Sequence, residues 1–160
     1  MMSDHFSFTA STHNDTERLG AAIAQAVTAG MTIGLVGTLG SGKTKLVQSI
    51  AIARGVDPQS VVSPTYVILH EYSGPITIFH FDLYRVADDD EWDELGADEI
   101  LEQGGIALIE WADRFRNRMP ADWLEIQIEV ISETARCFSF QMHGANGAAF
   151  LGTLQQKLTN

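Results

Sequence analysis

Gly37-Thr38-Leu39-Gly40-Ser41-Gly42-Lys43-Thr44 is the stretch on which the reading of this chain turns. It satisfies the pattern G-x-x-x-x-G-K-[ST], and each element of that pattern has a chemical reason. Glycines let backbone N–H groups turn inward and approach phosphate oxygens with no side chain in the way. A helix beginning at Lys43 offers its unpaired N–H groups and the positive end of its dipole to the same anion. The pattern therefore assigns Leu39, Gly40, Ser41 and Gly42 to the phosphate cradle, Lys43 to the β- and γ-phosphates, and the Thr44 hydroxyl to Mg²⁺. With glycine at about 7% of residues, such a string arises by accident in roughly one protein of this length in two hundred. Context argues against accident here, because the string lies between a strand-like and a helix-like segment.

Upstream, Met31 to Val36 is a short apolar run bounded by turn signals, as expected of a buried parallel strand. Downstream, Leu46, Val47, Ile50 and Ala51 mark the inward face of a helix from Lys43 to about Arg54, stopped by Gly55. Further out, Phe6 to Thr9 reads as a short edge strand. A helix capped by Asn14 or Asp15 then runs to about Thr28, with Leu19, Ile23, Ala26 and Val27 on its apolar side. Thr65 to Tyr72 and Ile76 to Phe81 read as a hairpin around Ser73-Gly74-Pro75. Asp88 to Leu95 and Asp98 to Gln103 are short helices, each opening with acids that suit the positive end of the helix dipole. Ile106 to Ile109 is a second buried strand ending in Glu110. Leu124 to Ile131 and Cys137 to Met142 alternate and pair as late strands, and Ala148 to Leu158 forms a terminal helix. Strands interleaved with helices predict an α/β fold with helices on both faces of a P-loop NTPase-like sheet, mixed with antiparallel strands. Residues 1–160 read as one domain.

Composition sets bounds. The hydrophobic fraction of 45% suits a globular chain, and no apolar run approaches the roughly 20 residues that span a bilayer. Met1 to Ser11 carries no signal-peptide pattern, and a single cysteine, Cys137, fits a reducing compartment. The expectation is a cytoplasmic protein without a membrane partner. Ten Lys and Arg against twenty-one acids, a net charge of −11, argue against direct gripping of nucleic acid. Eight of those acids fall between Asp88 and Glu99, which is either a solvated helical face or a docking surface for a basic partner.

Three further segments carry candidate chemistry. Glu110, after the apolar strand, supplies a carboxylate that holds the water shell of Mg²⁺ or orients the attacking water. Trp111 beside it either packs on the nucleotide or completes the core. In His80-Phe81-Asp82-Leu83-Tyr84-Arg85, Asp82 is a second acid beside the metal, while His80 and Arg85 have plain structural readings as hydrogen-bonded and ion-paired groups. In Val62-Ser63-Pro64-Thr65-Tyr66, Pro64 stiffens a turn and Thr65 is placed to sense the γ-phosphate as switch loops do. Five scattered histidines and one cysteine leave no zinc spacing.

Taken together and in this order, residues 37–44, Ser63 to Tyr66, His80 to Arg85 and Ile109 to Trp111 resemble the bacterial tRNA threonylcarbamoyladenosine biosynthesis ATPases of the TsaE (YjeE) family over roughly residues 6–143. The resemblance implies an ATPase that uses ATP and Mg²⁺ and joins a TsaB–TsaD complex. That complex transfers threonylcarbamoyl to the adenosine next to the anticodon, so tRNA is met only through it, and hydrolysis resets it between rounds. By the same resemblance Lys43 and Thr44 bind phosphate and Mg²⁺, Glu110 is the metal-side acid, and Asp82 and Thr65 are essential to hydrolysis. Two positions depart from the family pattern: Thr38 stands where Asp is usual, and Lys45 where a small hydroxyl residue is common.

Two other readings compete. A small-molecule P-loop kinase would use Arg114, Arg116 and Arg118 as a lid over the transferred phosphate. A nucleotide-gated binding module would assemble a complex on ATP with hydrolysis incidental. A GTPase is disfavoured, since the sequence contains no N-K-x-D or T-K-x-D guanine signature.

Overall fold

The computed structural model describes residues 5–61, 67–145 and 147–159. In chain order the strands are β1 (His5–Ala10), β2 (Thr32–Val36), β3 (Leu69–Tyr72), β4 (Ile78–Asp82), β5 (Ile106–Glu110), β6 (Trp123–Val130) and β7 (Arg136–His143). They form one seven-stranded sheet in the order β1-β7-β6-β2-β5-β4-β3. The four central strands, β6, β2, β5 and β4, run parallel, and antiparallel pairings add β7 and β1 at one edge and β3 at the other. The expected mixed α/β sheet is therefore present.

The helices are α1 (His13–Ala26), α2 (Lys43–Ala53), α3 (Asp89–Leu95), α4 (Ala97–Leu101) and α5 (Ala148–Thr159), with a 3₁₀ segment at Ala112–Arg118. Alternation along the strands sorts their side chains onto two cores. Ile33 and Leu35 of β2 and Ile106 and Leu108 of β5 join Leu19, Ile23, Leu46, Ile50 and Leu154 from α1, α2 and α5. Ala107 and Ile109 of β5 join Phe79 and Phe81 of β4, Trp92 of α3 and Phe115 of the 3₁₀ segment on the opposite face. Burying strands on both faces is what parallel pairing requires.

One expectation needs correcting, and one element is an addition. Thr12, not Asn14 or Asp15, caps α1: its backbone is extended and its side chain accepts from the Asp15 N–H. Asp15 sits one turn in and closes the capping box, its carboxylate accepting from the N–H groups of Ser11 and Thr12 at 2.9 and 3.2 Å. Those backbone donors hold the Asp15 carboxyl below the usual carboxylate range. The 3₁₀ segment is the addition, a stretch the sequence reading left unassigned.

Helices α1 and α2 meet at Gly20, where an added Cβ would lie 2.5 Å from the Ser49 Cβ and 3.0 Å from the Ser49 carbonyl carbon. The residue has to be glycine for α2 to pack at this distance. Gly20→Ala is expected to cost about 1–3 kcal/mol by overpacking; urea unfolding of the two proteins checks it.

Candidate nucleotide-binding site

Strand β2 ends at Val36 and the chain turns through Gly37–Gly42 into α2, at the carboxyl edge of the parallel strands, where ligands of such sheets bind. Gly40 and Gly42 take φ of +80° and +108°, and a Cβ at either would meet nothing within 4 Å, so backbone conformation rather than space selects glycine there. Gly42 is the N-cap of α2 and supplies no side-chain cap, so the N–H groups of the first turn suit an anion. The turn is tied down from across the sheet: the Arg136 guanidinium, at the start of β7, donates from Nε to the Ser41 carbonyl at 3.0 Å and also bonds Ser132 and Ala135 carbonyls.

Lys43 is buried, and its ammonium donates to the Gly37 and Thr38 carbonyls at 2.7 and 2.9 Å. It also lies 3.9 Å above the Trp111 ring, a cation–π contact. Burial pulls the Lys43 ammonium below the ordinary lysine range, while the Glu110, Asp82 and Asp113 carboxylates act the other way.

Glu110 closes β5 and is 2% exposed. Its Oε1 accepts from the Thr44 hydroxyl at 2.8 Å, joining the helix after the glycine turn to the neighbouring strand. Its Oε2 lies 2.6 Å from His80 Nε2. Asp82 stands beside Glu110 in the β4–β5 register and accepts from the Tyr84 N–H at 3.1 Å. Burial pushes the Asp82 carboxyl above the usual carboxylate range, and Glu110 adds to that, although the Tyr84 N–H opposes it. Trp111 follows at φ +63°, the one non-glycine residue with positive φ among those described. A left-handed tryptophan costs about 1–3 kcal/mol and persists only when its surroundings hold it. Here its N–H bonds the Leu35 carbonyl at 2.9 Å and its ring packs on Tyr84.

These groups surround a cleft of about 420 Å³. Leu39, Gly40, Ser41, Gly42, Lys43, Thr44, Asp82, Glu110 and Trp111, all singled out in the sequence, line it, together with Lys45, Val67, Ile68, Tyr84 and Arg85. Leu39 is 73% exposed at the crest of the turn. Thr65, with the rest of Ser63 to Tyr66, lies outside the described residues. Sequence reasoning gave His80 only a structural role and missed Arg136. His80 was findable from its place two residues before Asp82, whereas Arg136 carries no local signal.

The donor set suits Mg²⁺: a hydroxyl and a carboxylate held 2.8 Å apart are hard oxygen donors. Mg²⁺ is usually bound by one or two such side chains plus substrate phosphates. Among the described residues no group of three or more His, Cys, Asp or Glu gathers as an all-protein cage.

The arginines of the kinase reading are engaged elsewhere. Arg114 donates to the Tyr84 carbonyl, and Arg116 pairs with buried Glu125, its Nη2 3.2 Å from Oε2. Arg118 reaches Asp89, Asp93 and Asp98 at 3.3, 3.0 and 3.4 Å, pinning three acids of the Asp88–Glu99 block. None of the three is among the residues that line the cleft.

Comparison with known proteins shows the family. Residues 10–138 match the family model of the threonylcarbamoyl adenosine biosynthesis protein TsaE. The chain belongs to the TsaE family. Among curated TsaE proteins, that of Treponema pallidum is 31% identical over 122 residues, covering 76% of this chain and 90% of the relative. That of Aquifex aeolicus is 37% identical over 124 residues, covering 76% and 85%. That of Bacillus subtilis is 32% identical over 131 residues, covering 81% of each. The crystal structure of Bacillus subtilis YdiB superimposes with a TM-score of 0.75 at 24% identity, covering 99% of this chain and 96% of that one, which shows a shared fold. TsaE membership connects the chain to threonylcarbamoyladenosine biosynthesis on tRNA.

Burial of Asp82 has a measurable consequence. Its folded-state pKa is raised, so ionisation costs stability above the unfolded value near 3.8, and that cost fades as pH falls below it. Asp82→Asn is expected to unfold at a higher temperature near neutral pH, with the advantage vanishing toward about pH 4. Thermal unfolding followed across pH checks this.

Proposed function

We propose that this chain is a Mg²⁺-dependent ATPase that acts with a TsaB–TsaD type complex in threonylcarbamoyladenosine modification of tRNA, hydrolysis resetting the complex between rounds. The observation that carries the reading is the Thr44–Glu110 contact of 2.8 Å at the mouth of the glycine turn. It joins a hydroxyl just after the glycine turn to a strand-end carboxylate, the kinds of side chain that hold Mg²⁺ in P-loop phosphoryl-transfer sites.

In this reading Leu39 to Gly42 and the first turn of α2 receive the phosphates through backbone N–H groups. Lys43 exchanges its carbonyl partners for phosphate oxygens, which relieves a buried ammonium of its desolvation. Thr44 and Glu110 hold the metal, which when bound neutralises charge developing on the phosphates. Asp82, kept close to Glu110 and partly desolvated, orients the attacking water, and Thr65 senses the γ-phosphate. Trp111 walls the cleft beside Lys43. Lys45, one of the two departures from the family pattern, lines the cleft and pairs with Glu17 at 3.1 Å.

The partner assignment rests on family membership and charge. A net charge of −11 suits a protein that reaches tRNA through a complex rather than by its own surface. The tRNA-linked pathway argues for the cytoplasm, and no described helix is long and apolar enough to cross a membrane.

The test is ATP turnover by the purified chain with and without the TsaB–TsaD complex and its tRNA. Turnover that requires Mg²⁺ and rises with the complex supports the proposal. Tight ATP binding with no turnover in any of these conditions moves the reading to a nucleotide-gated binding module. Lys43→Ala is expected to weaken ATP binding by about 10- to 150-fold, the equivalent of about 1.5–3 kcal/mol of charge-assisted bonding. Glu110→Ala is expected to keep most of the affinity and lose turnover. Equal loss of binding in both variants would overturn this division of roles.

A further inference from the structure

One buried group stands next to the site without lining it. His80 is 1% exposed in the middle of β4 and is absent from the cleft wall. Alternation along β4 turns Phe79 and Phe81 toward the core holding Trp92 and sends His80 to the other face with Ile78. On that face its Nε2 lies 2.6 Å from Glu110 Oε2, and its Nδ1 lies 3.4 Å from the Tyr72 hydroxyl. The rings of His70 and Tyr72 stand 6.0 and 6.3 Å from its own, so the imidazole has aromatic neighbours on the β3 side.

We infer that His80 is the positioning residue of Glu110, holding its carboxylate in the orientation that presents Oε1 to Thr44 and the metal. The inference rests on the proposed metal role of Glu110 and adds a group that touches neither nucleotide nor metal.

Hydrogen-bond direction supports it. An ionised carboxylate only accepts, and Oε1 already accepts from Thr44. The Nε2–H of His80 therefore donates to Oε2, and in a neutral imidazole Nδ1 accepts from the Tyr72 O–H. The chain Tyr72 to His80 to Glu110 runs in one direction with each of these groups satisfied. Thr44 can turn a hydroxyl lone pair to a cation while its O–H still donates to Oε1, and the bond from His80 to Oε2 fixes the rotation of the carboxylate from the other side. Partners of this kind orient ligating carboxylates generally, and their removal lowers metal affinity or activity by about 10- to 100-fold. A leucine or phenylalanine would fill the same volume without the desolvation of an imidazole, so packing alone does not account for histidine here.

The experiment measures binding of a fluorescent ATP analogue by the full chain, titrated with Mg²⁺ and repeated in EDTA, with thermal unfolding as a check on folding. His80→Phe keeps a ring and removes the donor. Its half-saturating Mg²⁺ is expected to rise by about 10- to 100-fold, with nucleotide affinity in EDTA unchanged. His80→Gln, whose side-chain N–H₂ reaches a similar position to Nε2, is expected to restore most of the metal response. A wild-type Mg²⁺ response in His80→Phe, an equal loss in Mg²⁺ and in EDTA, or failure of His80→Gln to recover function would overturn the inference. Should His80→Phe not fold, Tyr72→Phe removes only the hydroxyl on Nδ1 and is expected to shift the Mg²⁺ response in the same direction, and no shift would overturn it. A wild-type chain that binds the analogue equally with and without Mg²⁺ would instead remove the metal role of Glu110, and this inference with it.

Discussion

A carboxylate at the end of a fully buried strand has to receive hydrogen bonds on both oxygens, because an unsatisfied charged group away from water costs several kcal/mol. Glu110 meets that requirement with Thr44 from α2 on one oxygen and His80 from β4 on the other. Each partner comes from a different element, so one side chain sets the placement of the phosphate-loop helix and of the neighbouring strand together. The parallel register of β4 and β5 puts Asp82 beside Glu110. The chemistry of the cleft and the packing of its floor are thus governed by a single group.

Around this group the structure tolerates costs that a purely structural interior would avoid. Trp111 holds a left-handed backbone, Lys43 keeps an ammonium out of water, and Asp82 keeps a carboxyl partly desolvated. Each is over-determined by its neighbours: Trp111 by the Leu35 carbonyl and Tyr84, Lys43 by two carbonyls and the Trp111 ring, Asp82 by the Tyr84 N–H. Two cores, one on each face of the sheet, supply the rigidity that lets such strain persist. Concentration of these costs at one cleft is characteristic of a preorganised polar site.

The chain spends its few cations largely on internal contacts. Arg136 clamps the glycine turn, Arg116 satisfies buried Glu125, Arg118 gathers three acids of α3 and its surroundings, and Arg114 holds the loop after β4. A protein with ten basic residues and several of them committed inward has little surface with which to hold a nucleic acid phosphate backbone. The charge balance and the tertiary contacts therefore point the same way, against a surface built to hold a phosphate backbone.

What the sequence determined by itself was whatever depends on neighbours along the chain. The glycine turn, its flanking strand and helix, and the acid closing an apolar strand are local patterns, and Lys43, Thr44, Asp82 and Glu110 were legible from them. Even there, the cap of α1 was placed a few residues late, because Asp15 is as good a capping residue as Thr12 and only backbone conformation separates them. The segment Ala112–Arg118 was unreadable, since it lacks the apolar periodicity that marks a helix. Tertiary structure alone decided the rest. Thr44 and Glu110 are 66 residues apart, His80 and Glu110 are 30, and Arg136 and Ser41 are 95. No propensity or spacing encodes such pairings; they follow from which strands become neighbours in the sheet, and that is settled by burying both faces of it at once.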